Sequence, residues 1–102
     1  MSVVVVATLL PLPEFRQEVV EIVERTVSDV QGEPGCERYA LHENADGLVM
    51  IEKWADRDAL AAHATAPAVG ALRDRLEGKL GAPVSVQVLT PRPVGTPEQG
   101  AV

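Results

Sequence analysis

The stretch C-E-R-Y-A-L-H-E-N-A-D-G-L-V-M-I-E-K-W, residues 36–54, contains two strand-like runs separated by a turn sequence. The first run, Cys36–Glu43, alternates weakly, and the second, Leu48–Trp54, is largely apolar. Between them, Asn44-Ala45-Asp46-Gly47 combines residue types that favour tight turns. Two short strands around such a turn predict a β-hairpin.

The residues before this hairpin predict one strand and one long helix. Val3 to Leu10 is a β-branched run bounded by prolines, which favours a strand covered on both faces. Pro13 suits the first turn of a helix, and Gly32 suits its end. Apolar residues recur between them at helical spacing and predict an amphipathic helix of about four to five turns: Phe15, Val19, Ile22, Val23, Val27 and Val30.

The residues after the hairpin predict a broken second helix and a last strand. Asp56 is a suitable N-cap, and Pro67 restarts the helix after a break. The second half has an apolar stripe that is predicted to be buried, formed by Val69, Leu72, Leu76 and Leu80. Three valines between residues 84 and 88 then alternate with polar residues, which predicts a half-buried strand.

The order of these elements is β-α-β-β-α-β. It predicts an α+β fold of the ferredoxin-like, split βαβ type, a sandwich with an antiparallel sheet. We expect residues 1–90 to form this domain and residues 91–102, rich in Pro and Gly, to form a flexible tail. Helices on one side would leave a Val-rich sheet face bare, so we expect a homodimer that buries this face.

Composition excludes several classes of partner. The chain has 102 residues, with 9 Lys and Arg against 15 Asp and Glu, for a formal charge of −6. Such an acidic chain does not favour nucleic acid or an anionic membrane surface. Cys36 has no second cysteine to pair with, which fits a reducing compartment. We therefore expect a cytoplasmic protein that binds neither nucleic acid nor membrane.

The sequence has no motif for a nucleotide, a metal or a nucleophilic serine. His42, His63 and Cys36 lack metal-ligand spacing, so we expect no metal site. The expected role of Cys36 is that of a small buried hydrophobe.

The second strand of the hairpin predicts a pocket. Because side chains alternate along a strand, Met50, Glu52 and Trp54 share one face with Leu48. A glutamate two residues before a tryptophan on one face suggests an apolar pocket with one carboxylate in its wall. Alternatively, Trp54 packs against the helices and Glu52 reaches solvent or an arginine.

His63 flanks the apolar stripe of the second helical region, three residues after Leu60. A histidine there could bind a ligand hydroxyl or transfer a proton, since its unperturbed pKa is about 6.5. It could equally be an ordinary residue of the helix surface.

Two linked motifs resemble the antibiotic biosynthesis monooxygenase domain. They are E-P-G-C-E-R-Y-A-L-H, residues 33–42, and E-K-W-A-D-R-D-A-L-A-A-H, residues 52–63. The similarity covers residues 3–90. It implies a dimeric α/β barrel with ferredoxin-like protomers, each with a pocket between its sheet and its helices.

The resemblance also implies a function. Members include oxygenases that need no cofactor because the deprotonated aromatic substrate itself reduces O2. It implies catalytic roles for Trp54, Glu52 and His63, with Trp54 lining the pocket. The expected substrate is a phenolic, quinol or polyketide-like aromatic, in a pocket formed by Tyr39, Met50, Leu60 and Leu72.

Departures from the family pattern keep a second function open. The polyketide oxygenases have an Asn four residues before the Trp and a Tyr six residues after it, where this chain has Met50 and Leu60. The haem-degrading branch has an Asn on its first strand, which is absent from Val3 to Leu10. The alternative is a non-catalytic dimeric barrel that binds a small apolar ligand.

Overall fold

The computed structural model describes residues 1–102 and contains one four-stranded sheet with helices packed on one face. A short 3-10 helix, Pro13–Phe15, leads into the longest helix. The strands and α-helices are, in chain order, β1 Val3–Leu9, α1 Arg16–Gln31, β2 Cys36–Glu43, β3 Leu48–Trp54, α2 Arg57–Ala64, α3 Pro67–Leu76, β4 Ser85–Leu89 and α4 Pro97–Gly100.

The sheet has the strand order β2-β3-β1-β4, and all neighbouring strands are antiparallel. The first strand is therefore central, and two helical crossovers connect non-adjacent strands. This arrangement confirms the ferredoxin-like α+β fold. The predicted break at Pro67 is also confirmed, because α2 and α3 together occupy the place of the second helix.

The core lies between one sheet face and the helices. Val5 in β1 and Trp54 in β3 are almost completely buried there, against Val19 and Val23 of α1. The predicted alternation along β3 is confirmed, since its buried residues are Leu48, Met50, Glu52 and Trp54. The helices cover only one face of β1. Val6 lies on the other face and is half-buried.

The hairpin turn is confirmed and is held by its first residue. Asn44 Oδ1 accepts hydrogen bonds from the N–H groups of Asp46, at 2.9 Å, and Gly47, at 3.0 Å. Arg16 donates to the carbonyl oxygens of Asn44, at 2.7 Å, and Ala45, at 3.1 Å. The start of α1 is thereby attached to the turn between β2 and β3.

The second helical region begins as predicted but ends earlier. Asp56 Oδ1 accepts a hydrogen bond of 2.8 Å from the Ala59 N–H, which confirms it as the N-cap. The prediction that Leu80 continues the helical stripe is wrong. Helix α3 ends at Leu76, because the extended backbone of Glu77 and the positive φ of Gly78 turn the chain away. Leu80 instead forms a bridge with Pro11.

The prediction that the last strand is half-buried is also wrong. All five residues of β4 are exposed, and Val86 and Val88 are 58% and 47% exposed. The reason is its place in the sheet: β4 pairs only with β1, at an edge that the helices leave uncovered.

Residues 97–100 of the expected tail form a short helix, and the flexibility of the tail stays a prediction. No helix in the chain has the length and apolarity that a bilayer-spanning segment requires.

Gly35 allows the turn after α1 to pack directly on α2. Its φ is +79°, and a Cβ at this position would lie 2.6 Å from the Ala59 Cβ. Gly78 has a similar φ of +77° but open space around it.

We expect Gly78→Ala to lower the free energy of unfolding by about 1 to 2 kcal/mol through backbone strain alone. Gly35→Ala should lose about 1 to 3 kcal/mol more through overpacking.

Urea unfolding of both variants measures this difference. Equal losses for the two alanines would contradict the close approach at Gly35.

Candidate active site

A cavity of about 930 Å³ lies between the helix-facing side of the sheet and helices α2 and α3. Of its 23 lining residues 15 are hydrophobic, so a ligand would contact mainly apolar surface. Its titratable side chains fall into two groups. Tyr39, Glu52 and His63 are buried in the wall, whereas the rim carries exposed charges from Arg73, Asp74 and Glu77.

His63 is joined to a glutamate that lies outside the cavity wall. Its Nδ1 is 2.8 Å from Oε1 of Glu33, which belongs to the turn after α1. The side chains are 11% and 15% exposed. The second carboxylate oxygen, Oε2, is buried and has no hydrogen-bond partner. A buried contact of this kind fixes the orientation of the imidazole ring.

Glu52 is held by Trp54. The indole Nε1–H donates a hydrogen bond of 2.9 Å to Glu52 Oε1. The indole ring also packs on the imidazole of His63, with 4.5 Å between ring centroids and 31° between planes. Trp54 is 0% exposed and does not line the cavity, so the expectation that it forms the pocket wall is wrong. It lies behind the wall and supports two residues that do line it.

The facing atoms of His63 and Glu52 leave a gap. Nε2 of His63 is 3.9 Å from Oε1 of Glu52, which is too long for a direct hydrogen bond. One oxygen atom could lie at about 2.8 Å, an ordinary hydrogen-bond length, from both groups. Since both residues line the cavity, a ligand hydroxyl is suited to this position.

Burial changes the pKa values of two side chains in the cavity wall. It raises the pKa of the Glu52 carboxyl, and Glu33 adds to the rise, although the Trp54 hydrogen bond and the charge of His63 oppose it. Burial and the two carboxylates also raise the pKa of Tyr39 well above its ordinary value, so the phenol is neutral at physiological pH. Glu52 therefore keeps its proton to a higher pH than an exposed glutamate.

Cys36 lies near this wall. It is half-buried rather than buried, and it packs on the edge of the core. Burial and the neighbouring carboxylates of Glu33 and Glu52 raise the pKa of its thiol, which disfavours the thiolate. No group of three or more His, Cys, Asp or Glu side chains is arranged to hold a metal ion.

Residues 2–75 match the model of the family described as antibiotic biosynthesis monooxygenase. The chain belongs to this family. The matched residues contain the whole polar cluster formed by Glu33, Glu52, Trp54 and His63. Family membership confirms the resemblance carried by the motifs at residues 33–42 and 52–63.

Related proteins support the same assignment. Rv0793 of Mycobacterium tuberculosis, named as a candidate monooxygenase, is 34% identical over 91 residues, which cover 87% of this chain and 90% of the relative. Its solved structure superposes with a TM-score of 0.85, covering 94% of this chain and all of the other at 32% identity. A candidate antibiotic biosynthesis monooxygenase from Caulobacter crescentus has a TM-score of 0.79 at 25% identity, with 86% and 87% covered. Both of these relatives carry names that describe candidate monooxygenases.

The structure brings six of the seven predicted site residues to the cavity wall. They are Tyr39, Met50, Glu52, Leu60, His63 and Leu72, while Trp54 stands behind them. Their roles in catalysis and substrate binding stay predictions. Sequence reasoning missed Glu33, to which it assigns no role. The one available signal was its place as first residue of the 33–42 motif.

The raised pKa of Glu52 leads to a prediction about how the stability of the protein depends on pH. The folded state holds this proton more tightly than the unfolded state, whose reference pKa is 4.5. The folded state therefore binds more protons above that pH, and the contribution of Glu52 to stability falls as pH rises towards the folded pKa. Glu52→Gln removes this loss and can still accept the Trp54 hydrogen bond. We expect its unfolding free energy relative to wild type to increase from pH 4.5 upwards.

Urea unfolding across this pH range measures the difference, and Glu24→Gln, at an exposed position of α1, is the control. A pH-independent difference between Glu52→Gln and wild type would contradict the raised pKa.

Proposed function

We propose that the protein is a monooxygenase that oxidises a phenolic, quinol or polyketide-like aromatic with O2 and without an added cofactor. The observation that carries the proposal is the 3.9 Å gap between His63 Nε2 and Glu52 Oε1 in the wall of a largely apolar cavity. Family membership supports the reaction class. The substrate class rests on the chemistry of the wall.

The cavity suits an aromatic molecule of several rings. Its volume of about 930 Å³ is at the upper end of the usual range for small-molecule sites. Apolar side chains from the sheet and from α2 and α3, such as Val5, Leu60 and Leu72, would contact the rings. Burying the substrate in this way removes water from the reacting hydroxyl and strengthens its interactions with the polar wall.

His63 and Glu52 would divide the proton chemistry between them. The substrate hydroxyl donates its proton to Nε2 of His63, the ring nitrogen that faces the gap. The carboxyl of Glu52, in its protonated form, donates a hydrogen bond to the oxygen that becomes negative. Neutral Tyr39, in the same wall, is a further possible donor to an anion in the cavity.

The substrate anion supplies the electrons. An electron-rich phenolate or enolate transfers electrons to O2, and a new C–O bond forms at the activated ring carbon. That carbon loses its one hydrogen and becomes a carbonyl. The second oxygen atom leaves as water, which takes up this hydrogen together with the proton released from the substrate hydroxyl. The carbon is oxidised and O2 is reduced, so the equation balances without an external reductant. The protein contributes binding, desolvation and proton transfer.

A second function is favoured by the side chains that depart from the polyketide oxygenases. Met50 and Leu60 place apolar groups in the wall where those enzymes have an Asn and a Tyr. A wall with fewer polar groups suits a domain that binds an apolar ligand without transforming it.

Oxygen uptake tests the two functions. A panel of hydroquinones and anthrones is added to the protein with a chelator present and no flavin or nicotinamide. We expect O2 consumption, and we expect His63→Gln to lower kcat by about 10²-fold because the proton acceptor is lost. His42→Gln is the matched control for the loss of an imidazole, since His42 does not line the cavity.

Quenching of Trp54 fluorescence reports binding independently of turnover, because the chain has one tryptophan. Binding without O2 uptake favours the apolar-ligand function. Uptake that requires added flavin contradicts a reaction without cofactor.

We also propose that two copies pack through the open face of the sheet. Val6, Val49 and Ile51 place half-buried apolar side chains on this face, away from the helices. Sedimentation at micromolar concentration should give about twice the chain mass of 10.9 kDa. Ile51→Glu should shift the protein towards the monomer, because it places a charge in the buried face. A wild-type monomer would overturn this proposal.

A further inference from the structure

We propose that Glu33 is a positioning residue that acts through His63, holding the ring proton on Nδ1 so that Nε2 is free to accept a proton from the substrate. The inference rests on the proposed function of His63 and extends it to a residue outside the cavity. Glu33 does not itself line the cavity, and the lining residue to which it is hydrogen-bonded is His63, so we assign its effect to the imidazole.

The backbone on both sides of Glu33 is held in place. Its N–H donates to the Val30 carbonyl at 2.9 Å, and its own carbonyl accepts from the Cys36 N–H at 3.2 Å. Two residues later, the Gly35 carbonyl accepts a hydrogen bond of 2.8 Å from the Ala55 N–H. The turn is thereby attached to the segment that leads into α2, the helix that carries His63.

The 2.8 Å contact fixes which ring nitrogen carries the proton. An ionised carboxylate only accepts hydrogen bonds, so Nδ1 of His63 must be the donor. The neutral ring then has its lone pair on Nε2, which faces Glu52 across the gap. Without this partner, either nitrogen could carry the proton, and a ring protonated at Nε2 cannot act as a base there.

The surroundings of Glu33 favour a ring that becomes positively charged. Its Oε2 is buried without a protein partner, so a positive charge on the neighbouring ring would compensate for the hydration that burial reduces. When Nε2 accepts a proton, the imidazolium forms 2.8 Å from this carboxylate. The two glutamates therefore have different roles: Glu33 is the acceptor that orients the ring, and Glu52 is the acid that faces the substrate.

Nitrogen-15 NMR of the imidazole ring tests the orientation without any substrate. In the wild type, the neutral ring should carry its proton on Nδ1. Glu33→Leu removes the acceptor, and we expect a substantial part of the ring population to carry its proton on Nε2 instead. Glu37→Gln is the matched control, because Glu37 is an exposed acid on the neighbouring strand. A wild-type ring protonated at Nε2, or a Glu33→Leu ring unchanged from wild type, would overturn the proposal.

Kinetics with a validated substrate then test the consequence. We expect Glu33→Leu to lower kcat by about 10²-fold, the lower end of what acid–base catalysis contributes, with KM nearly unchanged. Glu33→Gln keeps a hydrogen-bond acceptor and should retain more of kcat. If Glu33→Leu does not fold, Glu33→Gln must still lower kcat relative to Glu37→Gln. An effect on KM alone would overturn the proposal. If no substrate is oxidised at all, the proposed function fails, while the NMR result still decides the role of Glu33.

Discussion

The hydrogen bond from the Trp54 indole to Glu52 joins the core of the protein to its candidate site. A glutamate on the buried face of β3 would ordinarily destabilise the fold, because a carboxylate loses its hydration there. The indole N–H partly replaces that hydration, and the indole ring also supports His63. One completely buried residue thus holds both groups that face the cavity. A strand that would otherwise be purely structural becomes part of a site.

The buried polar side chains of the core are concentrated beside the cavity. The buried polar side chains are Thr26, Glu52 and His63. Thr26 is satisfied within its own helix, where its hydroxyl donates to the Ile22 carbonyl at 3.1 Å. The other two are next to the cavity, and their neighbour Glu33 has a buried oxygen without a partner. The unsatisfied atom that burial leaves in this region therefore lies behind His63, beside the cavity rather than in it.

The fold could be predicted because its signals are local. Alternation along β3, the Asn44 turn and the Asp56 cap each depend on residues close together in the chain. Two predictions failed where a local pattern could not describe the surroundings. The valines of β4 alternate, but their burial depends on helices that do not reach that edge. Leu80 continues the spacing of the stripe, but the helix has already ended at Leu76.

The site could be predicted in part for the same reason. Glu52 and Trp54 are two residues apart on one strand, so alternation alone places them together. His63 and Glu33 are 30 residues apart, and only the packing of the first turn against α2 brings them to 2.8 Å. That packing depends on Gly35, where a side chain would meet Ala59. Such a contact gives a defined orientation to a histidine that lies between two glutamates. In our proposal the carboxylate outside the cavity orients the ring. The carboxyl group in the wall keeps its proton to a higher pH because burial raises its pKa. The same residue type can therefore supply both an orienting acceptor and an acid, because the two environments differ.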